Sequence, residues 1–363
     1  MDRLHSLLAD NAAISLATGG LLIGLFFGFL VQRTNFCAMG SISDMMAFGD
    51  SRRFRSWLLA SATAIAGAAV LNAMGVADLS KSQYLSPTLD WMGAILGGLV
   101  FGFGMVFAGG CATRNLVRAG GGDLRSLIVV ILIGISGYMA IGGLLGPARV
   151  ALSGATSISL AGFGLKSQSL AGLVAQLAHI NPDNAAAVTA VGLVALLLAV
   201  CFSSASFRSS PVHILAGLGV GIAVVAGWAL TGLTYDEMAE TAVNPTSLTF
   251  VRPSGDLLDW MQRFTAQPIP GFGTSTVLGV LAGAYLAALI FRSFRISTFS
   301  DTADTARNLF GAVLMGIGGV FALGCTIGQG VTGVSTLAMG SMLTFAGLVL
   351  GGVIGIKTME RLA

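Results

Sequence analysis

Two segments of this chain place a cysteine between glycines and a short polar run. They are Gly109-Gly-Cys111-Ala-Thr-Arg-Asn115 and Gly324-Cys325-Thr-Ile-Gly-Gln329-Gly. The two match at a constant offset, with Phe107 aligned to Phe321, Ala108 to Ala322, Gly110 to Gly324, Cys111 to Cys325 and Asn115 to Gln329. A fixed-offset match around a rare residue indicates an internal duplication, which is typical of membrane transporters.

Each motif joins a long apolar segment to a short polar one, so each predicts a helix broken inside a membrane. Irregular backbone at that depth is tolerated only where it is buried in protein or lines a cavity. The N-termini of two such short helices would present free N–H groups to an anion. The predicted supporting residues are Gly110, Thr113, Asn115, Gly324, Thr326 and Gln329. We expect the cysteines to act as neutral thiols, which are weak donors on a polarizable atom, because a thiolate would repel an anion.

The other two cysteines have different settings. Cys37 ends the unusually polar run Gln32-Arg-Thr-Asn-Phe-Cys37 and is a further candidate for the pathway. Cys201 lies near the end of an apolar run, and we interpret it as a small apolar filler. Arg114 has two readings that the sequence leaves open, an orientation anchor or a cation that draws an anion inward. The scattered cysteines, the absence of Cys-x-x-Cys and only three His predict neither a metal nor a cofactor.

The composition is that of a polytopic membrane protein. The chain is 55% hydrophobic and 10% charged, whereas a soluble domain carries about 25% charged residues. Nothing supports nucleic-acid binding, and no Walker motif for ATP use occurs. Glycines four residues apart, as at Gly20, Gly24 and Gly28, predict close helix packing in lipid. We predict an all-α fold of about nine transmembrane helices, at residues 12–32, 57–76, 91–108, 127–145, 185–202, 214–230, 274–291, 309–323 and 341–356.

The basic residues predict an orientation and an inverted duplication. Most Arg fall in loops on one side of the nine spans, which marks that side as cytoplasmic, the amino terminus as external and the carboxyl terminus as internal. We predict two inverted repeats, residues 1–184 and 185–363, in which Trp228–Thr231 corresponds to Thr34–Cys37. A long connection at 146–184 is expected to hold one short helix at 169–179. The polar loop 231–272 is expected to hold an interfacial helix at 256–264.

The motifs at Cys37, Cys111 and Cys325, taken as a set, resemble the YeeE/YedE sulfur-transport family of bacteria and archaea. The resemblance covers nearly the whole chain. It implies an hourglass-shaped helical protein with re-entrant loops that meet at a thin waist, and uptake of thiosulfate or a related sulfur anion through the inner membrane. It places the family's cysteines on these three residues. The expected partners are that anion, membrane lipid and a small cytoplasmic sulfur-carrier or sulfurtransferase protein.

Two other classes of function compete with a transporter. A membrane sulfurtransferase or thiol oxidoreductase would use Cys111 as nucleophile, but it would want a neighbouring base, and no His lies near the three motifs. A membrane subunit without a pathway of its own is disfavoured by the inverted duplication. The sequence therefore predicts a transporter and not an enzyme.

Overall fold

The computed structural model describes residues 11–237 and 243–362, and these are almost entirely helical, as predicted. Fifteen α-helices follow one another in the described residues: α1 Ala12–Thr34, α2 Ala38–Phe48, α3 Arg52–Ala73, α4 Trp91–Phe107, α5 Ala112–Gly120, α6 Leu124–Ile141, α7 Gly146–Thr156, α8 Leu170–Ala178, α9 Pro182–Phe202, α10 Ala205–Arg208, α11 Pro211–Leu233, α12 Arg252–Gln262, α13 Phe272–Ile290, α14 Thr302–Phe321 and α15 Met339–Leu362. A further helix at 326–335 contains the π-helical turn Gly328–Gly333. The strands β1 Thr88–Asp90 and β2 Ser157–Ser159 pair antiparallel.

Eight stretches of the described chain are long and apolar enough to cross a membrane. Two of them join a long helix to a short one, α1 to α2 and α4 to α5. The predicted span at 309–323 is not among these eight; it is α14, whose first turns carry Asp304, Arg307 and Asn308 and are therefore less apolar. It nevertheless packs inside the bundle, against α4 and α6. The prediction of an all-α polytopic membrane protein is confirmed.

Glycines allow the closest helix contacts, as the sequence predicts. A Cβ atom on Gly24 or Gly28 of α1 would collide with backbone atoms of α13, and one on Gly283 would collide with α1. A Cβ on Gly351 of α15 would likewise collide with the backbone of α4. Backbones this close gain dispersion contacts that side chains would prevent, and such contacts drive helix association in lipid.

The bundle contains the same packing twice, with the partners exchanged. Helix α1 packs against α13 as α11 packs against α3, and α4 packs against α15 as α14 packs against α6. Helices α1 and α11 have 23 residues each and run antiparallel, because Gly19 meets Leu230 while Gly219 meets Leu30. The corresponding helices are thus inverted relative to each other. The repeat boundary between residues 184 and 185 stays a prediction.

We name one end of the bundle the arginine-rich face. It contains the carboxyl-terminal ends of α1, α9 and α13 and the amino-terminal ends of α3, α6 and α14. Three contacts join these ends: Arg33 lies 4.7 Å above the Phe291 ring, Arg55 donates to Ser203 at 2.9 Å, and Arg125 pairs with Asp304 at 3.5 Å. At the opposite face, Lys81 pairs with Glu237 at 3.0 Å. The predicted clustering of Arg is therefore present in three dimensions.

Two predicted loops have more structure than expected. The connection at 146–184 contains α7 and β2 in addition to the expected short helix, because β2 gains its hydrogen bonds from a strand about 70 residues earlier, a partner that no local pattern reveals. The interfacial helix of the polar loop is α12, which begins at Arg252 and not at Asp256. The segment before it, residues 247–251, is not a solvated loop. It is buried in the bundle.

Candidate functional site

Three of the four cysteines have the same structural position, directly before the first residue of a short helix. Cys37 precedes α2, Cys111 precedes α5, and Cys325 precedes the 326–335 helix. The Cys37 thiol accepts a hydrogen bond from the Gly40 amide at 3.4 Å, and the Cys325 thiol accepts one from Gly328 at 3.3 Å. Since helix N-termini carry unsatisfied N–H groups, each thiol lies at a partly positive helix end.

Cys37, Cys111 and Cys325, which we name the cysteine row, belong to one buried cluster in the interior. The side chain of Cys111 is adjacent to that of Cys37 on one side and to the Thr326 hydroxyl on the other. Thr326 directly follows Cys325, so this contact lies one residue along the chain from the third thiol. Cys37 is 7% exposed, Cys111 2% and Cys325 0%, so the row is shielded from solvent. The structure therefore brings together the three cysteines that the sequence selected.

Backbone geometry and two amide side chains stabilise the helix breaks before Cys111 and Cys325. The turn before Cys111 has Gly109 at φ 66°, and the corresponding turn before Cys325 has Leu323 at φ 57°. The Asn115 amide donates to the Gly110 carbonyl at 2.8 Å, and the Gln329 amide donates to the Ala322 carbonyl at 2.5 Å. These carbonyls are ones that a broken helix leaves unpaired. The predicted donors Asn115 and Gln329 thus have their N–H groups engaged at the junctions.

Four polar atoms at the junctions are buried with no hydrogen-bond partner among the described residues. They are Thr113 Oγ1, Arg114 Nη1, Thr326 Oγ1 and Gln329 Oε1. The other terminal nitrogen of Arg114, Nη2, donates to Asn35 Oδ1 at 2.8 Å. Buried polar groups in proteins are nearly always hydrogen-bonded, so a group of unpaired ones marks a place where water or a ligand completes the bonding.

Electrostatics at this site favour an anion. The unpaired Nη1 belongs to a guanidinium, which carries its charge at any ordinary pH. Arg114 also lies close to Cys37 and Cys111, so its charge lies beside the cysteine row. The hydroxyls of Thr113 and Thr326 add neutral donors. Of the two open interpretations of Arg114, a cation that draws an anion inward now has more support than an orientation anchor. An anchor at a membrane surface would not have a buried nitrogen without a partner.

The buried segment 247–251 belongs to the site and was missed by sequence reasoning. Thr249 Oγ1 lies 3.9 Å from Cys325 Sγ, and Phe250 packs against Phe27 with ring centroids 5.4 Å apart. A signal was available, because Phe250 stands 214 residues after Phe36, the same offset that separates Cys325 from Cys111.

This segment also changes the expected correspondence between the two halves. Residues 248–251 precede α12 as residues 34–37 precede α2, and both short helices have 11 residues. The expected match of Trp228–Thr231 to Thr34–Cys37 is therefore wrong. An insertion after α11 displaces the matching residues along the chain. The position equivalent to Cys37 is occupied by Val251.

Cys201 lies outside the site. It is fully buried beside Leu59 and Phe207, and its thiol donates to the Arg55 carbonyl at 3.2 Å. This environment agrees with the predicted filler role. Within the described ranges, no group of three or more His, Cys, Asp or Glu is placed to hold a metal ion.

Comparison with known proteins relates the whole bundle to sulfur transport. A family model described as "Sulphur transport" matches residues 33–354. The chain is 26% identical to the thiosulfate transporter TsuA of Escherichia coli, over 92% of this chain and 90% of that protein. It is 27% identical to TsuA of Spirochaeta thermophila, over 92% of this chain and 96% of that protein. A shorter match, 32% identical over 29% of this chain and 24% of that protein, is to the probable transporter YedE of Escherichia coli.

Proposed function

Because this chain belongs to the sulphur transport family, we propose that it carries thiosulfate, or a closely related sulfur anion, across a membrane along the cysteine row. The observation that supports this most directly is that three buried thiols lie at three helix N-termini, whose junctions hold four buried polar atoms without a hydrogen-bond partner in the described chain. The two relatives that match over most of their length are named as thiosulfate transporters. Their names also agree with the prediction that the chain is not an enzyme.

The anion would be stabilised by charge that is already in place. Each helix N-terminus contributes roughly half a positive charge, and the Arg114 guanidinium contributes a full one. Nη1 of Arg114 and the hydroxyls of Thr113 and Thr326, which are buried without a partner in the described residues, would donate to the oxygens of thiosulfate. These groups are fixed by the packing around them, so little ordering is needed when the anion arrives.

The thiols would pass the anion along without trapping it. A neutral S–H group is a weak donor on a soft, polarizable atom, and thiosulfate carries a terminal sulfur of the same soft character. A lysine in each position would bind the anion too strongly, and a carboxylate would repel it. Successive weak sites, in the proposed order Cys325, Cys111 and Cys37, would give stepwise transfer in which each contact forms as the previous one is lost. Conduction needs such binding, strong enough to enter and weak enough to leave.

The orientation that we propose rests on the positive-inside rule. The arginine-rich face would be cytoplasmic, so the first helix would begin outside and the last would end inside. The protein would then lie in the inner membrane and import the anion, in contact with membrane lipid and delivering to a small cytoplasmic sulfur-carrier or sulfurtransferase protein. The two inverted repeats, proposed as residues 1–184 and 185–363, would contribute thiols from opposite sides. Such inverted repeats are typical of transporters that alternate access around a fixed site.

The test is uptake of labelled thiosulfate into proteoliposomes by the purified protein and by cysteine variants. Loss of a hydrogen bond to a charged group costs about 1.5–3 kcal/mol, which corresponds to about tenfold to hundredfold in affinity or rate. We expect Cys111→Ala to lower uptake by that factor, and Cys37→Ala and Cys325→Ala to lower it less. Cys201→Ala, which removes a thiol outside the row, should transport normally.

Cys111→Ser separates the two properties of the thiol, because it keeps a donor of similar size and removes the soft sulfur. Normal uptake by Cys111→Ser would show that hydrogen bonding alone suffices. Normal uptake by Cys111→Ala would remove the cysteine row from the mechanism.

A further inference from the structure

A small apolar cavity, here named the crevice, lies between residues next to the cysteine row and the first turns of α3 at the arginine-rich face. At its inner end it is lined by Thr326, the neighbour of Cys325 and Cys111, and by Ala38, the residue after Cys37. At its outer end lies Phe54, in the first turn of α3 beside the exposed Arg52. Its lining also includes the aromatic rings of Trp57 and Phe345. The crevice therefore borders the junctions of Cys37 and Cys325 as well as the start of α3.

In this structure the crevice is too narrow for a sulfur anion. Its internal volume is about 10 Å³, which is close to the space that a single water molecule needs. An aromatic stack closes it. The Trp57 ring lies 5.1 Å from that of Phe36 at 18° and 6.0 Å from that of Phe345 at 22°, both measured between centroids. Passage along the crevice requires these rings to separate or turn.

The central ring of the stack also carries an unused donor. Trp57 is 2% exposed, and its Nε1–H has no hydrogen-bond partner among residues 11–237 and 243–362. Buried indole N–H groups usually have one, as Trp228 does by donating to Ser335 Oγ at 3.0 Å. The benzene edge of Trp57 faces Gly330 of the π-helical turn, so the opposite edge, which carries Nε1, points away from that turn. The stack thus contains an N–H donor, that of Trp57, without an acceptor among the described residues.

We propose that the stack of Phe36, Trp57 and Phe345 is a gate between the cysteine row and the arginine-rich face, and that Trp57 donates its N–H to the anion during passage. The proposal rests on the proposed function and adds a specificity-determining residue to it. The indole N–H is a neutral donor at the end of a row of weak neutral donors, so it continues the same stepwise transfer. A purely apolar gate would instead leave the anion with no partner between Thr326 and the mouth, which is costly for a charged group.

The donor is tested with Trp57→Phe, which keeps an aromatic ring in the stack and removes the N–H. Labelled thiosulfate uptake should fall about tenfold, by the loss of one hydrogen bond to a charged group. The matched control is Trp260→Phe, since Trp260 Nε1 is also buried without a partner in the described chain but lies in α12, outside the crevice. Equal uptake by Trp57→Phe and the wild type would refute the donor role while leaving the proposed function intact. Wild-type protein without thiosulfate uptake would refute both.

The gate is tested without any substrate, by the rate at which a negatively charged methanethiosulfonate reagent modifies Cys111 in the purified Cys201→Ala protein. Phe345→Ala removes one ring of the stack and should raise that rate at least severalfold. Phe26→Ala, which removes a ring that is 46% exposed on the outside of α1, should leave it unchanged. A Cys111 modification rate that is the same in Phe345→Ala and the parent would refute the gate, whatever the uptake assay shows.

Discussion

Arg114 provides the sharpest test of how this site attracts an anion. Its Nη2 is engaged by Asn35 Oδ1 at 2.8 Å, while Nη1 is buried and has no partner in the described residues. The substitution Arg114→Gln keeps a side-chain donor for Asn35 but removes both the charge and the free nitrogen. The change therefore affects the anion more than the local packing.

The expected size of the uptake defect in Arg114→Gln follows from the hydrogen bond to the anion that the substitution removes. A hydrogen bond from a charged donor contributes about 1.5–3 kcal/mol net, and about 1.4 kcal/mol corresponds to a factor of ten. The concentration of thiosulfate at half-maximal uptake should therefore rise about tenfold to hundredfold in Arg114→Gln. Because Nη1 is shielded from water, salt should screen it little, and the defect should persist at high ionic strength.

Uptake into proteoliposomes, measured across thiosulfate concentrations at low and high salt, checks this expectation. Arg208→Gln is the matched control, because it removes the same charge from an exposed residue of α10 at the same face. Its effect should be small and should disappear at high salt, where the screening length is about 3 Å at 1 M. If Arg114→Gln reaches the membrane at normal levels and takes up thiosulfate with unchanged half-saturation, Arg114 is an orientation anchor and the electrostatic reasoning is refuted.

Three further predictions concern the scaffold. A tag at the carboxyl terminus should be accessible only from the cytoplasm and one at the amino terminus only from outside; access from one side for both would contradict the orientation. Gly28→Leu should reduce the amount of folded protein in detergent severely, because its Cβ would collide with the Val280 carbonyl, whereas Gly192→Leu on α9, with open space around it, should be tolerated. Leu323→Gly should raise the free energy of unfolding by about 1 kcal/mol, because Leu323 adopts the left-handed backbone conformation that Gly109 adopts without strain. A melting temperature equal to or below that of the wild type would contradict this expectation.

Several features of this protein could be read directly from its residues. The low charge and long apolar runs determine the membrane class, because each charged group in lipid is costly. The glycines four apart predicted close helix packing, which the structure shows between α1 and α13, since only a residue without a Cβ permits it. The polar run after Cys111 and Cys325 predicted two broken helices, and both are present. These are local properties, set by residue type and spacing within a few turns.

The tertiary structure alone decided which of these local features meet. The side chains of Cys37 and Cys111 lie next to each other because α1 packs against α13 and α4 packs against α15, and both partners are far along the chain. No local sequence pattern encodes these contacts. The segment 247–251 resembles a loop in its polarity and length, yet contacts within the bundle bury it beside Cys325. The amide of Asn115 could equally have faced a ligand, but the unpaired carbonyl of its own broken helix lies closer. Packing between elements that are far apart in the chain, and not the motifs themselves, therefore determines which donors remain free for the anion.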